Sequence, residues 1–154
     1  MSHVSTLRDL LARSFARYLK VIPAGFQPPH AERTLPAISA TILSFRPART
    51  LYQNRKPVCR SLDGVQALIE SRTCGTCLMR KMCTPQICLE ILYEGIPLRL
   101  MLAFTSARNF MVFVSKQKKA GTPLEGSPVK LNVLDRGRWG EICFASAAGN
   151  STTP

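Results

Sequence analysis

The chain has 154 residues, 45% of them hydrophobic, enough for one domain with a buried core and appended ends. Lysine and arginine number 21 against nine aspartates and glutamates, a formal charge of +12. An excess of that size points to a polyanion, with nucleic acid first and an anionic membrane surface or an acidic protein second; no apolar run approaches the length of a membrane span.

Residues 1–33 read as an amphipathic helix followed by a linker. Val4, Leu7, Leu11, Phe15, Tyr18 and Ile22 recur at steps of three or four, with Arg8, Arg13, Arg17 and Lys20 between them. Such a helix packs on its own domain or docks a partner; a membrane-surface helix or an Arg-rich organelle-targeting peptide shares the pattern. Asp9 weighs against import. Pro23, Gly25, Pro28 and Pro29 end the helix.

The main domain is expected over residues 34–145. Thr34 to Arg46 reads as its first strand, with Pro36 at the start and Pro47 just past the end. Arg46, Arg49, Arg55, Lys56 and Arg60 follow, interleaved with Phe45 and Tyr52. Cations for phosphates and rings for bases suit a single-stranded nucleic acid. A solvated basic loop is the alternative.

Five of the six cysteines lie between Cys59 and Cys88, and the sixth is Cys143. Cys74-Gly75-Thr76-Cys77 places two thiols on one tight turn, and a second pair from either side completes a tetrahedron. A structural zinc ion is expected in a module over residues 57–88, on Cys59, Cys74, Cys77 and Cys83, with Cys88 as the other candidate for the fourth place. Four thiolates leave no open position, so the metal is expected to be structural, and the net charge falls to about +10. No secretory signal with an apolar stretch and small-residue cleavage site is present, which weighs against disulfides and toward the cytoplasm. A redox Cys-x-x-Cys usually sits between a strand and a helix, whereas basic and turn residues surround this one; unlinked thiols are the remaining reading.

Beyond the cysteines the period changes. Ile87, Leu89, Ile91 and Tyr93 alternate with Cys88, Glu90, Leu92 and Glu94; after Glu94-Gly95, Leu98, Leu100, Leu102 and Phe104 alternate with Arg99, Met101 and Ala103. That is a β-hairpin, and its alternation puts Phe104 on the side of Leu98, toward the core. Thr105 or Ser106 caps a following helix, whose Phe110, Phe113, Val114 and Gln117 share a face; Lys116, Lys118 and Lys119 suit its last turn, and Gly121 ends it. Val129, Leu131 and Val133 form a further strand, Asp135 to Arg138 a turn, and Trp139 to Phe144 the last strand. Residues 146–154 are expected to be a disordered tail.

The fold class expected is β-rich α+β: an OB-like five-stranded barrel with an inserted four-cysteine zinc module and an N-terminal amphipathic helix. A zinc ribbon with an αβ appendage is the alternative. The run Cys59-Arg60-Ser61-Leu62-Asp63-Gly64, the spaced Cys74-x-x-Cys77, Cys83, a strand pair, and Thr105-Ser106-Ala107-Arg108-Asn109-Phe110 resemble uncharacterised four-cysteine proteins of phages and mobile elements, over residues 57–145. More distantly the arrangement resembles phage single-strand DNA-binding proteins that join an OB-fold to a zinc subdomain. The resemblance implies a zinc-stabilised nucleic-acid binder working in replication or recombination in a prokaryotic or phage-infected cell, with the same four thiols as ligands. The tail lacks the acidic character of many replication single-strand binders.

Catalysis is not expected. His3 and His30 are the only histidines, no nucleophile–base set or Walker loop is present, and the carboxylates are scattered. Asp63 suits a turn or a group holding the thiolates. Three functions fit: a single-strand binder, a duplex-binding regulator, and an adaptor in a nucleoprotein assembly with a protein partner on the N-terminal helix. For the first, Arg46, Arg49, Arg55, Arg99, Lys130 and Arg138 meet phosphates, while Tyr52, Trp139 and, less simply, Phe104 stack on bases.

Overall fold

The computed structural model describes residues 17–29, 31–62 and 73–147. Its centre is β4 (Ala37–Gln53), a strand of 17 residues. One side of β4 pairs antiparallel with β6 (Thr84–Tyr93), and β6 pairs with β7 (Ile96–Ala103). The other side carries β8 (Pro128–Asp135) against Ala37–Thr41 and β5 (Lys56–Ser61) against Arg49–Gln53. Strand β9 (Gly140–Ser146) pairs with β8, and helix α1 (Phe104–Lys119) lies between β7 and β8 in sequence.

Three short N-terminal strands complete this mixed sheet and form its neighbour. β1 (Arg17–Tyr18) runs parallel to β7, and β2 (Lys20–Ile22) forms a hairpin with β3 (Gly25–Gln27). The helix expected over 1–22 therefore does not extend through residues 17–22; the rest of it lies outside the described residues. β-Branched Val21 and Ile22 suit a strand, and the reversal is fixed at Gly25, whose φ is +147° and where a Cβ would collide with the Leu35 carbonyl. Phe26, fully buried, exchanges backbone hydrogen bonds with Leu35 at 2.7 and 2.8 Å.

The sheet is β-rich and open: its order is β1-β7-β6-β4-β8-β9, with β5 beside β4, and β7 and β9 do not pair. The closed five-stranded barrel expected from the element order is thus corrected. β7 takes β1 on its free edge, and α1 fills the gap on the β9 side through Asn109, whose side-chain NH2 donates to the Ile142 carbonyl at 3.0 Å.

Strand β4 also runs past its expected end at Arg46. Pro47 is tolerated because, among the described residues, the side of β4 away from β6 has no strand partner between its β8 and β5 segments, and the missing N–H falls on that stretch. The expected basic loop is a hairpin, turned by Asn54 and Arg55 at φ 51° and 65°, two left-handed residues in succession as a tight hairpin turn requires. A bulge at Leu43 shifts the β4–β6 register, so inward positions change from Ile38, Ala40 and Ile42 to Phe45.

The core lies on one face of the sheet. Ile42, Leu89, Ile91, Leu98, Leu100 and Leu102 pack there against Phe110 and Phe113 of α1. Phe110 stands edge-on to Phe45 and Phe144, with ring centroids 5.1 and 5.2 Å apart, each pair contributing about 0.5–1.5 kcal/mol beyond its buried area. Gly121, at φ 71°, follows the helix end, and Lys116, Lys118 and Lys119 occupy the last turn, where the helix dipole favours cations. At its start, no side chain caps the helix; Ser106, expected as a cap, instead accepts a 3.0 Å hydrogen bond from the Ile142 N–H. Ser146 closes β9 and the Ala147 N–H donates to the Pro128 carbonyl, so the folded chain runs past the expected tail boundary; residues 148–154 lie outside the described residues.

Candidate nucleic-acid interface and thiol cluster

Away from the core, the β6–β7 hairpin opens into a cleft of about 890 Å³, within the size range of ligand sites. Gln86, Met101 and Ala103 line it from the sheet, Phe104, Thr105 and Ser106 from the start of α1, and Val21 to Pro23 from the β2–β3 turn. Tyr52, Arg138 and Trp139 complete it. Tyr52 is 40% exposed, Trp139 44% and Phe104 76%. Three rings carried by three separate elements thus share one cleft with a guanidinium.

Each ring is held in a different way. Tyr52 accepts a 3.2 Å hydrogen bond from the Gln86 side-chain amide, and the Gln86 carbonyl oxygen in turn accepts from the Thr50 hydroxyl. Trp139 sits in the β8–β9 turn, where the Arg136 N–H donates to its carbonyl at 3.0 Å and the Gly137 N–H donates to the Asp135 carboxylate at 2.8 Å. Glu141 ties that turn to α1, accepting from the Arg136 Nε at 3.1 Å and from the Asn109 NH2 at 3.0 Å. The Asn109 hydrogen bond, with Arg136 beside it, holds the Glu141 carboxyl below its ordinary range. Gly140 leaves room for this packing: a Cβ there would stand 2.6 Å from Val133 Cγ1 and 2.8 Å from the Ile22 carbonyl oxygen.

Phe104 is the departure. Alternation along β7 places it with Leu98 in the core, but its φ is +48° and its ring is exposed. The chain leaves the sheet at that residue, and the left-handed backbone turns the ring out to the cleft rim. Bulky residues rarely take that conformation, which costs about 1–2 kcal/mol.

The other expected phosphate contacts are dispersed. Arg46 lies on the cleft side of the sheet, opposite Cys88, and Arg99 lies there opposite Glu90, with 3.7 Å between their Nε and Oε1. Arg49 pairs with Ser61 and Pro85 on the other face and acts on Cys83. Arg55 occupies the exposed β4–β5 turn, and Lys130 is exposed on β8 between Ser39 and Ala145. None of these five lines the cleft. Arg60 belongs to the basic run of the sequence but not to the individually expected contacts, and Tyr18 to neither; Arg60 lies over the Tyr18 ring at 4.9 Å and donates from Nε to the Thr50 hydroxyl at 3.3 Å.

The five cysteines between Cys59 and Cys88 separate into two environments, while Cys143 lies apart beside Asn109 and Glu141. Cys59 faces Leu51 across the β4–β5 pair, and Cys83 directly precedes Thr84, which faces Thr50, so β4 carries the two thiols on either flank at one level. Cys74 and Cys77 bracket a 3-10 turn closed by the Cys77 N–H on the Cys74 carbonyl at 3.3 Å. Burial pushes the Cys83 thiol up, and Cys77, Cys59 and Cys74 push it further, so these four share a neighbourhood. Cys88 is buried on the cleft side of the sheet, raised by burial and by Glu90 and lowered by Arg99, Arg46 and Arg60. Among the described residues, no three His, Cys, Asp or Glu side chains are grouped closely enough to hold a metal ion. The four thiols have the chemistry of a tetrahedral zinc site, but they are gathered near one another without closing on a common point.

No described helix is long and apolar enough to cross a membrane. Comparison with protein-family models, with curated proteins and with solved structures gives no match.

Proposed function

We propose that this chain is a non-catalytic binder of single-stranded nucleic acid, DNA or RNA, that takes bases into the aromatic cleft and is stabilised by structural zinc. The observation that carries this is the convergence of Tyr52, Phe104 and Trp139, all exposed, with Arg138 on one cleft of a chain with charge +12. Bases stack on such rings with little regard to sequence, while a basic surface tracks the phosphates. Gln86 holds the Tyr52 ring, and Glu141 and Asn109 tie down the turn that carries Trp139, as a platform for a flexible strand needs.

Strand order supports an OB-like ancestry for the site. The order β7-β6-β4-β8-β9, with a helix between β7 and β8, is that of an OB-fold opened between its third and fifth strands. In such folds the second and third strands and the loops after the first and fourth bind oligonucleotides. Gln86, Met101 and Ala103 on β6 and β7, Tyr52 near the end of β4, and Trp139 in the β8–β9 turn correspond to those places. Zinc on Cys59, Cys74, Cys77 and Cys83 would fix the β4–β5 arm and so the mounting of Tyr52. A divalent cation supplies the attraction that four protonated thiols lack.

Trp139 is the only tryptophan in the chain, so its fluorescence reports on the cleft alone. Titrating a single-stranded oligothymidine should quench it at low salt, while a matched duplex should quench it far less. Equal quenching by both, or none by either, would overturn the proposal.

A further inference from the structure

We propose that Arg46, Arg60 and Arg99 form a seat for backbone phosphates that continues from the aromatic cleft along the same face of the sheet. This rests on the single-strand reading above and adds the path of the strand's charged edge.

The register lays the seat out. Arg46 faces Cys88, which faces Met101; one step along, Glu90 faces Arg99; in the other direction, Thr50 faces Arg60. All these side chains project on the side opposite Phe45, Leu89 and Leu100, which face one another in the core. The Arg60–Tyr18 contact joins β5 to β1, four places apart in the sheet order, so the sheet curls over this face into a trough. The trough runs directly into the cleft, because Gln86 and Met101 line the cleft and stand two residues from Cys88 and Arg99.

Among the described residues, charge in the trough is unbalanced: three guanidiniums surround Cys88, and Glu90, which pairs with Arg99, is the carboxylate that acts there. Arg60 is held by a hydroxyl and a ring, neither of them anionic. Arg46 is half-buried, and its side chain makes no ion pair or hydrogen bond with another described residue. Partly burying like charges together is unfavourable in the free protein. The arrangement becomes favourable when an oxyanion enters, and the planar guanidinium fork matches a phosphodiester. A strand with bases against Trp139 and Phe104 and phosphates over Arg46 and Arg60 satisfies both surfaces together.

The test uses full-length, zinc-loaded protein with two probes: a fluorescein-labelled oligothymidine and a methylphosphonate oligomer of the same bases, whose backbone is neutral. Arg46→Gln and Arg60→Gln should each lower the slope of log affinity against log salt by about 0.7 for the charged strand, while affinity for the neutral oligomer stays unchanged. Trp139→Ala should weaken both probes and leave the salt slope intact. The melting temperature of free Arg46→Gln should equal or exceed that of wild type, because a like charge has been removed; a structural arginine would behave oppositely. An unchanged salt slope in Arg46→Gln, or a lowered melting temperature, overturns the phosphate seat while Trp139→Ala still reports on the cleft. Wild-type protein that binds neither probe overturns the seat and the single-strand reading together.

Discussion

Replacing Phe104 by glycine separates backbone from ring in one substitution. The native φ of +48° costs an L-residue about 1–2 kcal/mol, and glycine recovers it. Against that, glycine loses about 0.5–1 kcal/mol more chain entropy on folding. The ring is 76% exposed, so only about a quarter of the roughly 1.5–3 kcal/mol that full burial of a phenylalanine provides is forfeited. These contributions nearly cancel, leaving stability within about 1 kcal/mol of wild type, or a melting shift of no more than about 4 °C. Phe104→Ala forfeits the same ring and keeps the strain, so it should melt at or below the glycine variant. Both should weaken single-strand binding by about 1–3 kcal/mol, a loss of roughly 5- to 150-fold. Thermal melts and fluorescence anisotropy on the three proteins decide the matter. A glycine variant that melts far below wild type would mean the ring is a packing element, and one that binds as wild type would remove Phe104 from the interface.

Further expectations follow from the same geometry. Trp139→Ala should weaken binding to unrelated single-stranded sequences alike by about 1–3 kcal/mol; equal affinity with an intact fold would exclude the ring as a platform. Elemental analysis should find zinc in wild type and in Cys88→Ser but not in Cys74→Ser, because Cys88 stands among Glu90, Arg99, Arg46 and Arg60 and not among the other thiols; no zinc in wild type, or full zinc in Cys74→Ser, would refute the ligand set. Glu141, whose folded pKa lies below the ordinary carboxylate value of 4.5, stabilises the fold above that value and ceases to do so as pH falls through its folded pKa. Melting curves of wild type and Glu141→Gln should therefore differ near neutrality and converge in acid; a gap that widens in acid would reverse the assignment.

The stretches legible in the sequence are those governed by local rules. A period of two on either side of Glu94-Gly95 is enough for the β6–β7 hairpin, and both turn residues take positive φ, 48° and 78°. Helix α1 follows from its apolar spacing and its lysine-rich last turn. What the sequence conceals depends on contacts distant in the chain or on single backbone angles. The bulge at Leu43 changes which side of β4 is buried, and nothing in Ile42-Leu43-Ser44 announces it. Asn54-Arg55 turns a hairpin without glycine, so a 17-residue strand and its return read as a strand and a loop. Openness of the sheet is a matter of whether β7 meets β9, which the element order leaves undetermined.

The site is partly legible for the same reason. Tyr52, Arg138 and Trp139, which stand out for aromatic and basic character, do meet in one cleft, while Arg55 and Lys130, which stand out for charge alone, lie elsewhere. Alternation assigns Phe104 to the core, and a single left-handed residue undoes that. Arg60 belongs to the basic run seen in the sequence, yet its place opposite Thr50 exists only once β5 folds back on β4.

The most direct measurement is fluorescence anisotropy of zinc-loaded protein with matched single-stranded and duplex oligonucleotides across a range of salt. Single strands should bind more tightly than duplex, with affinity that falls as salt rises and tolerates changes of sequence. A preference for duplex, or no binding to single strands at low salt, would contradict the assignment of the aromatic cleft to single-stranded nucleic acid.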